Sequence, residues 1–68
     1  MARFHTIEVE IDGLRYAGSW QMMAKGSIEV SCPHGEAVVR LGRYDPDSAA
    51  RTALEDIVKT WLKARSAL

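Results

Sequence analysis

Apolar and polar residues alternate with period two over the first two-thirds of the chain, then change to a helical period. His5, Ile7, Val9 and Ile11 fall on one face of an extended strand, with Phe4, Thr6, Glu8 and Glu10 on the other. Asp12-Gly13 follows, a two-residue hairpin signal, because a type I′ turn needs positive φ at both central positions. The returning strand carries Leu14, Tyr16, Gly18, Trp20 and Met22 on one face. This turn predicts a register that pairs Ile11 with Leu14, Val9 with Tyr16, Ile7 with Gly18 and His5 with Trp20. All eight lie on the core side, and across the other face Glu10 meets Arg15 as an opposite-charge pair.

Ala24-Lys25-Gly26 reads as a three-residue loop closing on a left-handed glycine. It sets Met22 opposite Ile28, Trp20 opposite Val30 and Gly18 opposite Cys32. A glycine in mid-sheet weakens a strand, and its usual reason is close approach by something bulky, here the helix. Pro33-His34-Gly35-Glu36 is expected to form a four-residue loop that places Cys32 opposite Ala37, Val30 opposite Val39 and Ile28 opposite Leu41. Glu29 and Arg40 then pair on the outer face.

Asp45-Pro46-Asp47-Ser48 marks a helix start, with Asp45 as N-cap and Pro46 as first helical residue. Ala50, Leu54, Ile57, Trp61 and Leu68 cluster within about 60° on a helical wheel, facing the core. Arg51, Glu55, Lys59 and Lys63 fill the opposite side, with Arg51–Glu55 and Glu55–Lys59 at neighbour spacing. A helix of about 20 residues is roughly 30 Å long, which matches strands of eight or nine residues. The pattern predicts an α+β domain of two layers over residues 1–68. A four-stranded antiparallel meander at about 3–42 carries one C-terminal helix at about 46–65 on one face.

Composition narrows the function classes. Nine basic and nine acidic residues balance, which argues against a nucleic-acid binder working by phosphate neutralisation. No apolar run reaches signal-peptide or membrane-spanning length, and a lone thiol fits the reducing cytosol, so the expected compartment is cytoplasmic. Sixty-eight residues without a disulfide or metal staple bury a thin core, and homodimerisation is a common remedy.

Candidate chemistry is sparse. Cys32-Pro33-His34 is the one local cluster, but tetrahedral metal binding needs three or four ligands. The other histidine, His5, lies two strands away, about 10 Å. Cys32 on a core face reads as packing, and no metal, cofactor or catalytic set is expected. Trp20 and Trp61, one on the sheet and one on the helix, are expected to pack together in the core. The outer sheet face and the helix flank remain as contact surfaces. Arg15, Gln21, Glu29 and Arg40 lie on the first, Val58 and Leu62 on the second, and Tyr44 in the loop between them. Val58 and Leu62 either pack on the sheet margin or form part of a dimer seam.

The run Tyr16-Ala17-Gly18-Ser19-Trp20, the segment Gly26 to Ser31, Leu41-Gly42 and the helix from Ala50 through Leu54-Glu55 together resemble a group of small bacterial proteins. That group has a Gly-x-Trp strand, a Leu-Gly pair and an Ala/Leu-rich final helix, and the resemblance spans about residues 13–62. It implies a fold and carries over no functional residue. The strand order also resembles the second part of double-stranded-RNA-binding domains. That likeness fails on the missing leading helix and on Asp45, Pro46, Asp47 and Ser48, which stand where that family has lysines. The sequence therefore favours a non-enzymatic protein-interaction or regulatory module, homodimeric or binding another protein, without nucleic acid or membrane. Its rival is a small-molecule-binding or thiol-dependent catalytic protein using Cys32 and His34.

Overall fold

Each alternating segment becomes a strand in the computed structural model, which describes residues 3–66. Strands β1 (His5–Ile11), β2 (Leu14–Met23), β3 (Ser27–Cys32) and β4 (Gly35–Arg40) form one antiparallel sheet in chain order. Helix α1 (Pro46–Ser66) packs on one face. The first hairpin has the expected register, Ile11 opposite Leu14 through His5 opposite Trp20, because Asp12 and Gly13 take φ of 53° and 80°. The second also matches, with Trp20 opposite Val30 and Met22 opposite Ile28 around a loop in which Gly26 has φ 73°.

The third hairpin differs. A two-residue turn, Pro33-His34, replaces the expected four-residue loop, so Cys32 faces Gly35, Val30 faces Ala37 and Ile28 faces Val39. Glu29 consequently sits opposite Val38, and Arg40 opposite Ser27. Tertiary contact selects the shorter turn. It draws Gly35 so close to α1 that a Cβ there would stand 3.1 Å from Ile57 Cγ2, and it stacks His34 on Trp61.

Ile7, Trp20, Ile28 and Val30 from the sheet and Ala50, Leu54 and Val58 from α1 form the buried core. Gly18 has the predicted role: an added Cβ would meet Ser31 O at 2.9 Å and Leu54 Cδ1 at 3.0 Å. The helix start is capped as read, with Ser48 N–H donating to Asp45 Oδ2 at 3.1 Å.

Three expectations about the core are corrected. Trp20 and Trp61 do not stack on each other; Trp20 stacks on His5 at 4.3 Å and Trp61 on His34 at 3.7 Å. Leu14 and Met22 share the core side but are 61% and 54% exposed, since they stand at strand ends that the helix does not cover. The buried helix stripe is turned towards Val58, with Trp61 only half-buried at the β3–β4 turn, while Leu68 lies outside the described residues.

Candidate interaction surface

An open sheet has two edges, and here their treatment differs. In an antiparallel ladder every second residue spends its N–H and C=O on its neighbour, and the residues between turn theirs outward. Leu41 N–H donates to Gly26 O at 3.0 Å, continuing the β3–β4 ladder. Counting back along the register, Val39, Ala37 and Gly35 bond to β3, so Glu36, Val38 and Arg40 present their backbone groups to the outside. On β1 the same count turns Thr6, Glu8 and Glu10 outward.

The β1 edge is occupied from within the chain. Arg51 of α1 donates through Nη1 to Glu8 O at 2.9 Å, while its Nε holds Asp47 Oδ2 at 2.7 Å. Sequence spacing pairs Arg51 with Glu55; instead the guanidinium bridges the helix start to the sheet, and Glu55 turns to Lys59 at 3.9 Å. Glu8 and Glu10 add side-chain charge, a common way to keep an edge from recruiting strands.

The β4 edge carries no such cover among the described residues. Between it and α1 runs a mainly apolar groove of about 370 Å³, with Val39, Arg40 and Tyr44 on one side and Ser48, Ala49, Thr52, Ala53 and Asp56 on the other. A second hollow of about 470 Å³ shares Val39 and Ala53 and continues past Ala37 to Ile57 and Trp61. At its far end Trp61 stacks on His34, and the Arg65 guanidinium lies 4.8 Å from its ring centre. Tyr16 meets His34 edge-on at 6.0 Å. His34 is thus an aromatic packing residue in the turn. No hydrogen bond joins it to Cys32 among the described residues, and Cys32 is half-buried against the core.

The residues singled out by sequence divide accordingly. Arg40 and Tyr44 come together at the β4 groove, Tyr44 with 75% exposure. Gln21 Nε2 donates to Glu29 Oε1 at 3.1 Å, so these two satisfy each other on the outer face. Arg15 lies opposite Glu10 in the ladder but makes its ion pair with Glu8, at 3.9 Å on the exposed surface. Val58 is fully buried and is withdrawn as a contact residue; Leu62 is half-buried against the same core. Val58 takes the sheet-packing alternative because α1 lies over the sheet on this flank. Sequence reasoning assigned Glu36 to a loop, and placed Val38 on the outer sheet face without singling it out. A signal was present: Glu36 and Arg40 stand four residues apart around Ala37-Val38-Val39, on the same strand face as Val38.

Among the described residues no group of three His, Cys, Asp or Glu side chains is placed to hold a metal ion, and no helix is long and apolar enough to cross a membrane. The chain matches no protein-family model, no curated protein and no solved structure. Its surface geometry is therefore what a functional reading stands on.

Proposed function

We propose that this chain is a non-enzymatic protein-interaction module that recruits a partner strand at the β4 edge. One observation carries the reading: three successive outward peptide groups, at Glu36, Val38 and Arg40, stand uncovered beside an apolar groove. Strand addition draws affinity from such backbone groups and specificity from neighbouring pockets that accept alternate side chains. Val38, 65% exposed, adds an apolar contact, and Tyr44 at the groove mouth supplies an aromatic anchor. The contrast with β1, where Arg51 occupies the Glu8 carbonyl, supports a working edge and a guarded one. The lone thiol Cys32 fits a reducing, cytoplasmic setting.

Val38→Pro tests the reading. The Val38 N–H faces outward, so proline removes no internal ladder bond while deleting the central donor of the edge. Tagged wild-type and Val38→Pro chains are compared in affinity capture from native extract, with far-UV circular dichroism as the fold control. Loss of the captured partner from a folded variant is expected. Retention in Val38→Pro, with loss in Arg15→Glu, would move the contact to the outer sheet face.

A further inference from the structure

An edge that recruits a strand needs a strand that fits it, and β4 itself has the required pattern. Antiparallel pairing of β4 with a second β4, centred on Val38, sets Glu36 opposite the partner's Arg40 and Arg40 opposite the partner's Glu36. Both charge pairs lie on the outer face, with directly opposed side chains near enough to attract. The same register aligns all three outward peptide groups with their symmetry mates and covers Val38 with the partner's Val38. A centre one residue earlier sets Glu36 against the partner's Val38. A centre one residue later does the same to Arg40, and either way the charges go unmatched. Among the described residues neither Glu36 nor Arg40 is engaged in an ion pair within the chain.

We infer that the strand taken up at the β4 edge is β4 of a second copy of this chain, joined about a two-fold axis through Val38. The inference rests on the strand-addition reading above and names its partner. Two four-stranded sheets then become one continuous sheet with both helices on the same face. The axis is perpendicular to the sheet, so the two β4–α1 grooves face each other and merge into one cleft lined by Val39, Ala53 and Tyr44 of each copy. An isologous contact of this kind closes at two copies. The guarded β1 edges become the outer margins of the assembly. There, pairing centred on Glu8 would set Glu8 against the partner's Glu8, and Arg51 already holds the Glu8 carbonyl. Self-pairing is thus favoured at one edge and opposed at the other by the same two devices, charge order and access to the backbone.

Charge exchange distinguishes this register from any other dimer. Glu36→Arg carries two cations on the edge and Arg40→Glu two anions, and both sites are exposed on the strand's outer face, so the fold is expected to persist. Sedimentation velocity over a concentration series should show the wild-type chain dimerising. Each single variant should dimerise at least about tenfold more weakly, since both cross-strand pairs become repulsive. An equimolar mixture of the two variants restores complementarity at both pairs and should form the heterodimer, and the double exchange on its own should form a homodimer. Independently of any variant, the amides of Glu36, Val38 and Arg40 should gain protection from hydrogen exchange as wild-type concentration rises.

A wild-type chain that stays monomeric to millimolar concentration overturns the self-pairing. A dimer indifferent to Glu36→Arg, or a mixture that fails to associate, overturns it as well. None of these results touches strand addition by another protein, which stands or falls on Val38→Pro.

Discussion

Gly18→Ala changes one hydrogen to a methyl at the point where the helix comes closest to the sheet. Gly18 has no positive φ, so alanine is compatible with its backbone, and the loss of unfolded-state freedom alone would stabilise by about 0.4–1 kcal/mol. Space decides otherwise. The new Cβ would lie 2.9 Å from Ser31 O, a backbone atom locked in β3, and 3.3 Å from Cys32 Cβ. Its third neighbour, Leu54 Cδ1 at 3.0 Å, belongs to a side chain that is fully buried and has little room to withdraw. Overpacking a filled core by one methyl costs typically about 1–3 kcal/mol, so a net destabilisation of about 1–2 kcal/mol is expected.

For a domain of this size that corresponds to a fall in Tm of roughly 4–16 °C. Urea unfolding followed by tryptophan fluorescence measures it, with the slope of the transition unchanged. A double-mutant cycle locates the cause. Leu54→Ala alone should cost about 2–5 kcal/mol, but less in the Gly18→Ala background, because the methyl enters space that the leucine leaves. Wild-type or greater stability of Gly18→Ala, or strict additivity in the cycle, would refute the packing argument.

Three further changes probe separate parts of the same frame. Asp45→Ala removes the acceptor for Ser48 N–H and should destabilise by about 1 kcal/mol in thermal unfolding, whereas Asp45→Asn should retain most of the cap. His34→Ala deletes the ring stacked 3.7 Å from Trp61 and should cost about 0.5–1.5 kcal/mol; the emission of Trp61 should shift, and that of Trp20, stacked on His5, should not. Arg51→Ala should alter stability by less than about 1 kcal/mol, its ion pair being half exposed, yet it uncovers the Glu8 carbonyl. Static light scattering should then show association beyond the wild-type species, and an unchanged profile would remove Arg51 from the role of edge guard.

The hairpins at Asp12-Gly13 and Ala24-Lys25-Gly26 were legible because turn chemistry and face pattern agree on one register. Asp12, Gly13 and Gly26 tolerate the positive φ that their turns require, while Lys25, at φ 65°, takes it without such chemistry; a one-residue slip would turn Trp20 or Ile28 to the solvent. At Pro33-His34 the pattern has no such power. A slip of two residues leaves Ala37 and Val39 on the core side in either register, so alternation cannot choose between them. The choice is made by Ile57 against Gly35 and by Trp61 on His34, contacts that join residues from separate elements. Distance limited the reading of the core in the same way. Period two assigns Leu14 and Met22 a side, but how far α1 reaches along the strands depends on its crossing of the sheet, which local pattern does not encode.

The candidate site follows from that one ambiguous turn. In the four-residue loop Glu36 belongs to the connection and Arg40 faces Glu29, so the strand's charges are satisfied within the chain and its edge has no symmetry to notice. With the two-residue turn Glu36 enters the strand, Arg40 moves opposite Ser27, and the sequence Glu-Ala-Val-Val-Arg becomes self-complementary about Val38. The three outward residues of β4 were visible from the start as charge, valine and charge at every second position. Their meaning depended on which backbone groups face outward, and that is a property of register. Reading an interaction edge from sequence therefore requires the turn type to be settled first, since a two-residue slip preserves every buried face while deciding which charges are left for a partner.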